Sequence, residues 1–124
     1  MNKRISLLTG ALMGGLAVMT GAFGAHALKQ FLADMGREST FELAVRYQFY
    51  HALALLATGI LMGEPAPKGL RFSSLFFTLG IIFFSGSLYV LCFTGIRVMG
   101  AVTPFGGVFF ILGWTLLAVG VYKK

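Results

Sequence analysis

Charged residues are scarce in this sequence. Asp, Glu, Lys and Arg make up 11% of its 124 residues, against about 25% in soluble domains, while hydrophobic residues make up 57%. A soluble domain this small exposes a large share of its surface, so it could not bury that many apolar side chains. The composition excludes an ordinary soluble domain. It predicts one transmembrane domain, residues 1–124, with the lipid bilayer as its partner and solvent.

Cysteine and catalytic signatures are also nearly missing. The single cysteine, Cys92, lies in an apolar run, which excludes a disulfide or a cysteine-based metal site within one chain. The sequence has no Gly-x-Ser-x-Gly, His-Glu-x-x-His, phosphate-binding loop or dinucleotide fingerprint. We therefore expect no catalytic residues, no cofactor and no enzymatic activity.

What the sequence does contain is four long apolar runs, at residues 5–28, 43–63, 72–93 and 104–122. A helix rises about 1.5 Å per residue, so each run can cross a hydrocarbon core about 30 Å thick. The runs lack the alternation of membrane strands, and lipid cannot satisfy an open sheet edge. The predicted fold is all-α, an integral membrane four-helix bundle.

The start of the fourth run has two interpretations. Thr103 before Pro104 is typical of an N-cap followed by a proline at the first helical position. A start near Val98 would instead place Pro104 inside the helix as a kink. The sequence leaves both open.

Basic residues give the predicted helices a direction. After four crossings, both termini and the second connection share one side, which carries Lys3, Arg4, Lys68, Arg71, Lys123 and Lys124. The other side carries only Lys29, Arg37 and Arg97. The positive-inside rule therefore predicts that both termini are cytoplasmic. The net charge of +6 forms no clustered stripe, so no nucleic-acid partner is expected.

The first run imitates a secretory signal, because Lys3-Arg4, an apolar stretch and Ala25-His26-Ala27 follow one another. The stretch is too long for a signal peptide, and three more apolar runs follow it. We predict that it is retained as the first helix.

Small residues recur at helical spacing on three runs. They are Gly10, Gly14, Ala17, Gly21, Gly24 and Ala25 on the first, Ser73, Gly80, Ser87 and Thr94 on the third, and Gly106, Gly113 and Gly120 on the fourth. Such seams let helix backbones approach closely, and close packing drives helix association in lipid. The seams predict close packing, either within one bundle or between copies in a homo-oligomer.

The second run carries most of the polar side chains that are costly in lipid. Glu42 precedes Arg46 by four residues, so the two can pair on one face near the outer interface. His51 shares another face with Tyr47 and Gln48, about 12 Å below the start of the run. An unsatisfied imidazole at that depth is expensive, so His51 is expected to face the interior.

The predicted hydrogen-bond partners of His51 are Ser85, Ser87 and Tyr89. Because histidine titrates near neutral pH, a polar pocket around it would suit proton or ligand handling, whereas a neutral, fully bonded histidine would be structural. The candidate polar site comprises His26, Glu42, Arg46, Tyr47, Gln48, His51, Ser85 and Ser87. A metal would require His26, Glu42 and His51 together, but their depths differ by about 9 Å, so no metal site is predicted.

Several short runs resemble the YgdD-like family of small bacterial inner-membrane proteins, whose function is unknown. They are Gly21-Ala22-Phe23-Gly24-Ala25-His26, Tyr47-Gln48 with His51-Ala52-Leu53-Ala54, Phe84-Ser85-Gly86-Ser87-Leu88-Tyr89, Thr103-Pro104 with Gly106-Gly107, and Gly113-Trp114. The resemblance spans nearly the whole chain and implies a four-helix protein of a bacterial inner membrane. It supplies no substrate, cofactor or catalytic residue.

Two hypotheses about function follow. Packing signals outnumber chemical ones, which favours a non-enzymatic structural or accessory membrane component, with a homo-oligomer or another membrane protein as its partner. The alternative is a small oligomeric transporter or channel with a polar pocket around His51. No internal repeat of the kind common in transporters is evident.

Overall fold

The computed structural model describes residues 1–124 and contains five helices. They are α1 (Lys3–Ala25), α2 (Lys29–Met35), α3 (Glu38–Leu61), α4 (Lys68–Thr94) and α5 (Met99–Tyr122). The prediction of an all-α protein is confirmed. The predicted four-helix bundle is corrected to five helices, because the short α2 forms in the connection between the first two long ones.

Local chemistry explains the helix ends. The Asn2 side chain accepts a hydrogen bond from the Ile5 N–H at 2.8 Å and caps α1. Gly36 and Gly95 end α2 and α4 with φ angles of 66° and 70°, a region that glycine occupies without strain.

The start of α5 settles the interpretation of Pro104. The helix begins at Met99 and holds Pro104 in its interior, so Thr103 is not its N-cap. The Thr103 hydroxyl instead donates to the Met99 carbonyl, at 3.2 Å, within the first turn.

Apolar side chains cover the outside of the molecule. Only 29 of 124 residues are buried, while Ile60, Phe105 and Ile111 are each at least 65% exposed. Three helices, α1, α4 and α5, are long and apolar enough to cross a membrane. The predicted second crossing, 43–63, lies in α3 except for its last two residues. This helix is 24 residues long but is not among those three, because Arg46, Gln48 and His51 make it more polar.

The small residues of α1 form a seam against α3. A Cβ on Gly10 would lie 2.9 Å from the Ala52 carbonyl oxygen, and one on Gly24 would overlap the Phe41 ring. Since Gly10 is near Ala52 and Gly24 is near Phe41, α1 and α3 run antiparallel. The glycines of the first predicted seam therefore pack against α3 inside the molecule, whereas Ala25 at its end is exposed.

The glycines of α5 form a second internal seam, against α4. A Cβ on Gly113 would lie 2.6 Å from Phe77, and one on Gly120 would lie 2.9 Å from Leu70. A Cβ on Gly106 would instead overlap the backbone of Phe84. The glycines of α5 thus make room for two large side chains of α4 and for its backbone, which is close packing of the kind membrane helices use.

The predicted seam on α4 is only partly correct. Ser73, Gly80 and Ser87 are buried, but Thr94 is exposed and donates to the Val90 carbonyl of its own helix. A π-helical segment, Ile81–Gly86, interrupts α4. Ser87, directly after that segment, is still buried, whereas Thr94 is the last residue of α4.

Both chain ends lie at the same end of the molecule as the connection between α3 and α4. One cavity is lined by Met1, Lys68 and Arg71, and a neighbouring cavity by Lys68, Lys123 and Lys124. The Lys124 ammonium also donates to the Leu61 carbonyl at the last turn of α3. Six of the ten basic residues therefore gather at this end, and α2 lies at the other.

Candidate functional site

His51 is buried, with 5% of its surface exposed, and both of its ring nitrogens are bonded. Nδ1 lies 2.7 Å from the Tyr47 carbonyl oxygen, and the indole N–H of Trp114 donates to Nε2 at 3.0 Å. A carbonyl only accepts and an indole N–H only donates. His51 is therefore neutral, with its proton on Nδ1.

Aromatic rings enclose the His51 imidazole. The Phe110 ring stacks on it with 3.5 Å between ring centres and 11° between planes. Phe77 and Trp114 lie 5.7 and 5.9 Å away, centre to centre. These rings come from α4 and α5, so His51 joins α3 to both helices and has no free polar face.

Gln48 joins α3 to two other helices. Its amide N–H donates to the Met13 carbonyl of α1 at 2.9 Å, and its amide oxygen accepts from the Tyr89 hydroxyl of α4 at 2.7 Å. Tyr47, on the same side of α3, stacks on Phe84 with ring centres 4.7 Å apart. The side chains thus hold three helices in register.

The predicted serine and tyrosine partners of His51 bind elsewhere. Ser85 donates to the Ala44 carbonyl at 2.7 Å, Ser87 lies 2.7 Å from the Thr103 hydroxyl, and Tyr89 binds Gln48. The prediction was wrong because each hydroxyl has a nearer partner: a backbone carbonyl of α3 for Ser85, the Thr103 hydroxyl and the Phe84 carbonyl for Ser87, and the Gln48 amide for Tyr89. The partner that sequence reasoning missed is Trp114; the Gly113-Trp114 run was a signal, but no spacing rule related it to His51.

No buried side-chain nitrogen or oxygen in the protein lacks a hydrogen-bond partner. The five main cavities are lined by residues other than Tyr47, Gln48, His51, Ser85 and Ser87. The interior polar cluster, defined as those five residues with Tyr89 and Trp114, is therefore filled and satisfied by the chain itself.

The other candidate residues lie apart from this cluster, near α2. The Glu42 and Arg46 side chains pair at 3.6 Å, as predicted, and are 66% and 63% exposed. His26 follows α1 and is exposed. No group of three or more His, Cys, Asp and Glu side chains is close enough to hold a metal ion.

A cavity of about 390 Å³ opens beside the Glu42–Arg46 pair. Its charged lining residues are Lys29, Glu38, Glu42 and Arg46, and Gly21 and Gly24 of α1 form part of its wall. We call it the α2-end cavity. Sequence reasoning identified Glu42 and Arg46 but not the opening, because Lys29 and Glu38 read as ordinary connecting residues.

Apolar surfaces that face outward and a closed polar interior define the chain as a multi-pass helical membrane protein. Residues 20–107 match the family model described as protein of unknown function (DUF423), and the chain belongs to that family. A UPF0382 membrane protein of Staphylococcus saprophyticus is 48% identical over 120 residues, 97% of this chain and 98% of the relative.

Two further relatives extend the comparison. A UPF0382 membrane protein of Staphylococcus haemolyticus is 42% identical and covers 97% of each chain. The UPF0382 inner membrane protein YgdD of Escherichia coli K12 is 38% identical over 99% of this chain and 93% of its own length. The resemblance to the YgdD-like family and the expected location in a bacterial inner membrane are confirmed. No solved structure matches the chain.

Proposed function

We propose that this protein is a non-enzymatic structural or accessory component of the inner membrane. The supporting observation is that every buried polar side chain is bonded within the chain. A transported solute must exchange hydrogen bonds with the groups along its path, and His51, with Trp114 and Tyr47 on its two nitrogens, offers none. None of the five main cavities is lined by His51, so no cavity supports the alternative of a transport site there.

In this proposal the chain crosses the membrane four times, and α3 is the crossing that packs against the other three. α3 packs against α1, α4 and α5, and its polar residues Gln48, His51 and Thr58 are at most 5% exposed. The neighbouring helices screen these groups from lipid, which offsets the low apolar content of α3. The six basic residues at the end with both termini favour a cytoplasmic position for that end.

Flux across vesicles tests the structural role. The purified full-length protein, reconstituted in liposomes, should show no flux of protons, inorganic ions or a panel of small solutes above empty liposomes. A flux that His51→Ala abolishes, while the folded fraction stays unchanged, would establish the transporter instead. Mild detergent extraction should recover a specific membrane-protein partner, and repeated isolation of a lone homo-oligomer would count against an accessory role.

Reporter fusions test on which side of the membrane the termini lie. An enzyme that is active only in the periplasm, fused after Lys124, should be inactive, whereas a cytoplasmic fluorescent reporter at the same position should be bright. The reverse result would overturn the cytoplasmic placement of the termini. Each reporter moved into residues 33–36, at the opposite end, provides the control.

A further inference from the structure

The α2-end cavity is lined by charges of both signs. Lys29 and Arg46 supply two positive groups, and Glu38 and Glu42 supply two negative ones. The only ion pair in the protein joins Glu42 to Arg46 at 3.6 Å, with both side chains more than 60% exposed. Lys29 and Glu38 therefore have no ionic partner in the chain, and an exposed pair at that distance is held weakly.

This lining selects against ligands of one charge. A purely anionic group would meet Glu38 and Glu42, and a purely cationic group would meet Lys29 and Arg46. A zwitterion matches charges of both signs, because a guanidinium binds phosphate through paired hydrogen bonds and a carboxylate accepts hydrogen bonds from a primary ammonium. The volume of about 390 Å³ lies within the usual range for small-ligand sites, about 300–1,000 Å³.

An apolar groove continues from the cavity along α1 and α3. Gly21, Val45 and Arg46 line both openings, and the groove, about 260 Å³, extends past Val18 and Phe49. Because α1 ends and α3 begins at this end of the molecule, residues 17–18 and 49–50 lie deeper along the helices than residues 21 and 45–46. Small residues of α1 leave the depression open, since Gly21 has no side chain to fill it.

We propose that the α2-end cavity binds the headgroup of a phospholipid that carries a phosphate and a primary amine, with one acyl chain lying in the adjoining groove. Arg46 and Lys29 hold the phosphate, and Glu42 and Glu38 hold the ammonium. The charges of both signs in its lining, and its continuity with an apolar groove, identify the occupant as a whole lipid from the bilayer. This binding role goes beyond the proposed structural role and requires only that α1 and α3 lie in the membrane.

Native mass spectrometry of the full-length protein tests the headgroup. Phosphatidylethanolamine should bind about tenfold more tightly than phosphatidylglycerol or phosphatidylcholine with the same acyl chains, because the former lacks an amine and the latter cannot donate to a carboxylate. Arg46→Gln and Glu38→Gln should each weaken phosphatidylethanolamine binding several-fold. Arg97→Gln, an exposed arginine outside the cavity, is the matched control and should bind as the unmodified protein does.

Two tryptophan variants test the groove. Val18 lines it, whereas its exposed neighbour Met19 does not. Val18→Trp should weaken binding of phosphatidylethanolamine several-fold, and Met19→Trp should not. Glycerophosphoethanolamine, the headgroup without acyl chains, should bind far more weakly than the lipid.

Three results would overturn the proposal. Equal binding of the three lipids would indicate ordinary boundary lipid, and stronger binding of phosphatidylglycerol would remove the role of the carboxylates. A headgroup that binds as well as the whole lipid would indicate a water-soluble ligand instead. Thermal melting and circular dichroism of each variant identify any that fail to fold, and Arg46→Lys, which keeps the charge, should retain more binding than Arg46→Gln.

Discussion

The two groups of polar residues on α3 have opposite surroundings. Gln48 and His51 are buried, and each polar atom is bonded to another helix or to the backbone. Glu42 and Arg46, only two to nine residues away on the same helix, are exposed beside an open cavity. A costly polar residue in a membrane helix is therefore not a functional site by itself. What distinguishes the two groups is whether the hydrogen-bonding groups of the residue are already satisfied within the chain.

The largest effect is expected at the centre of the closed cluster. His51→Ala removes a stacked ring and leaves the Trp114 N–H without an acceptor, so it should lower the free energy of unfolding by about 2–4 kcal/mol. Thermal or denaturant unfolding in detergent measures this. Because His51 and Trp114 share one hydrogen bond, the double variant His51→Ala, Trp114→Phe should lose less unfolding free energy than the two single variants lose in sum. Additive effects would show that the hydrogen bond contributes no coupling.

A smaller loss of unfolding free energy is expected at Gly113, where α5 packs against a ring that borders His51. Gly113→Ala places a Cβ 2.6 Å from the Phe77 ring, which itself packs beside His51, and such overpacking costs about 1–3 kcal/mol. Gly107, on the same helix, has open space around it. Gly107→Ala should be neutral or slightly stabilising, so equal melting temperatures for the two variants would contradict the packing of α5 against α4.

The two interhelical hydrogen bonds of Gln48 should contribute less to the free energy of unfolding. Gln48→Leu removes one bond to α1 and one to α4, and interhelical hydrogen bonds in membranes contribute about 0.6 kcal/mol each on average. A loss of about 1–2 kcal/mol is expected by equilibrium unfolding. Tyr89→Phe should cost less in the Gln48→Leu background than in the unmodified protein, since its acceptor is already gone.

The smallest effect on stability is expected at the open cavity. Glu42→Gln breaks an exposed i, i+4 pair, which contributes about 0.3–0.5 kcal/mol, so the melting temperature should hardly change. A loss comparable with that of Gln48→Leu would erase the distinction between the two groups. The three polar variants, His51→Ala, Gln48→Leu and Glu42→Gln, thus rank the polar residues of α3 by how completely the chain satisfies their hydrogen bonds.

Several features of the fold were predictable from the sequence. Continuous apolar runs identified the long helices, and the i, i+4 spacing predicted the Glu42–Arg46 pair, because both follow from helix geometry alone. The glycines of α1 and α5 predicted close packing for the same reason. What the pattern could not supply was the neighbour on the other side of each seam.

The remaining features depend on contacts between distant residues. Trp114 meets His51 only because α5 lies beside α3, and no local spacing encodes that pairing. Thr94 is exposed at the last residue of α4, and its seven-residue spacing does not show where packing along the helix ends. The α2-end cavity combines residues from α1, α2 and α3, so it exists only after those helices pack.

The glycine seams have a consequence for how the chain is assembled. One seam joins α1 to α3 and the other joins α4 to α5, so each half of the sequence is a helical hairpin whose two long helices pack against each other, and the connection at residues 62–67 is the only covalent link between the hairpins. Insertion into the bilayer two helices at a time would allow each hairpin to bury its own glycines first. Halves expressed separately, as residues 1–63 and 64–124, should therefore find each other in the membrane through His51 and Trp114.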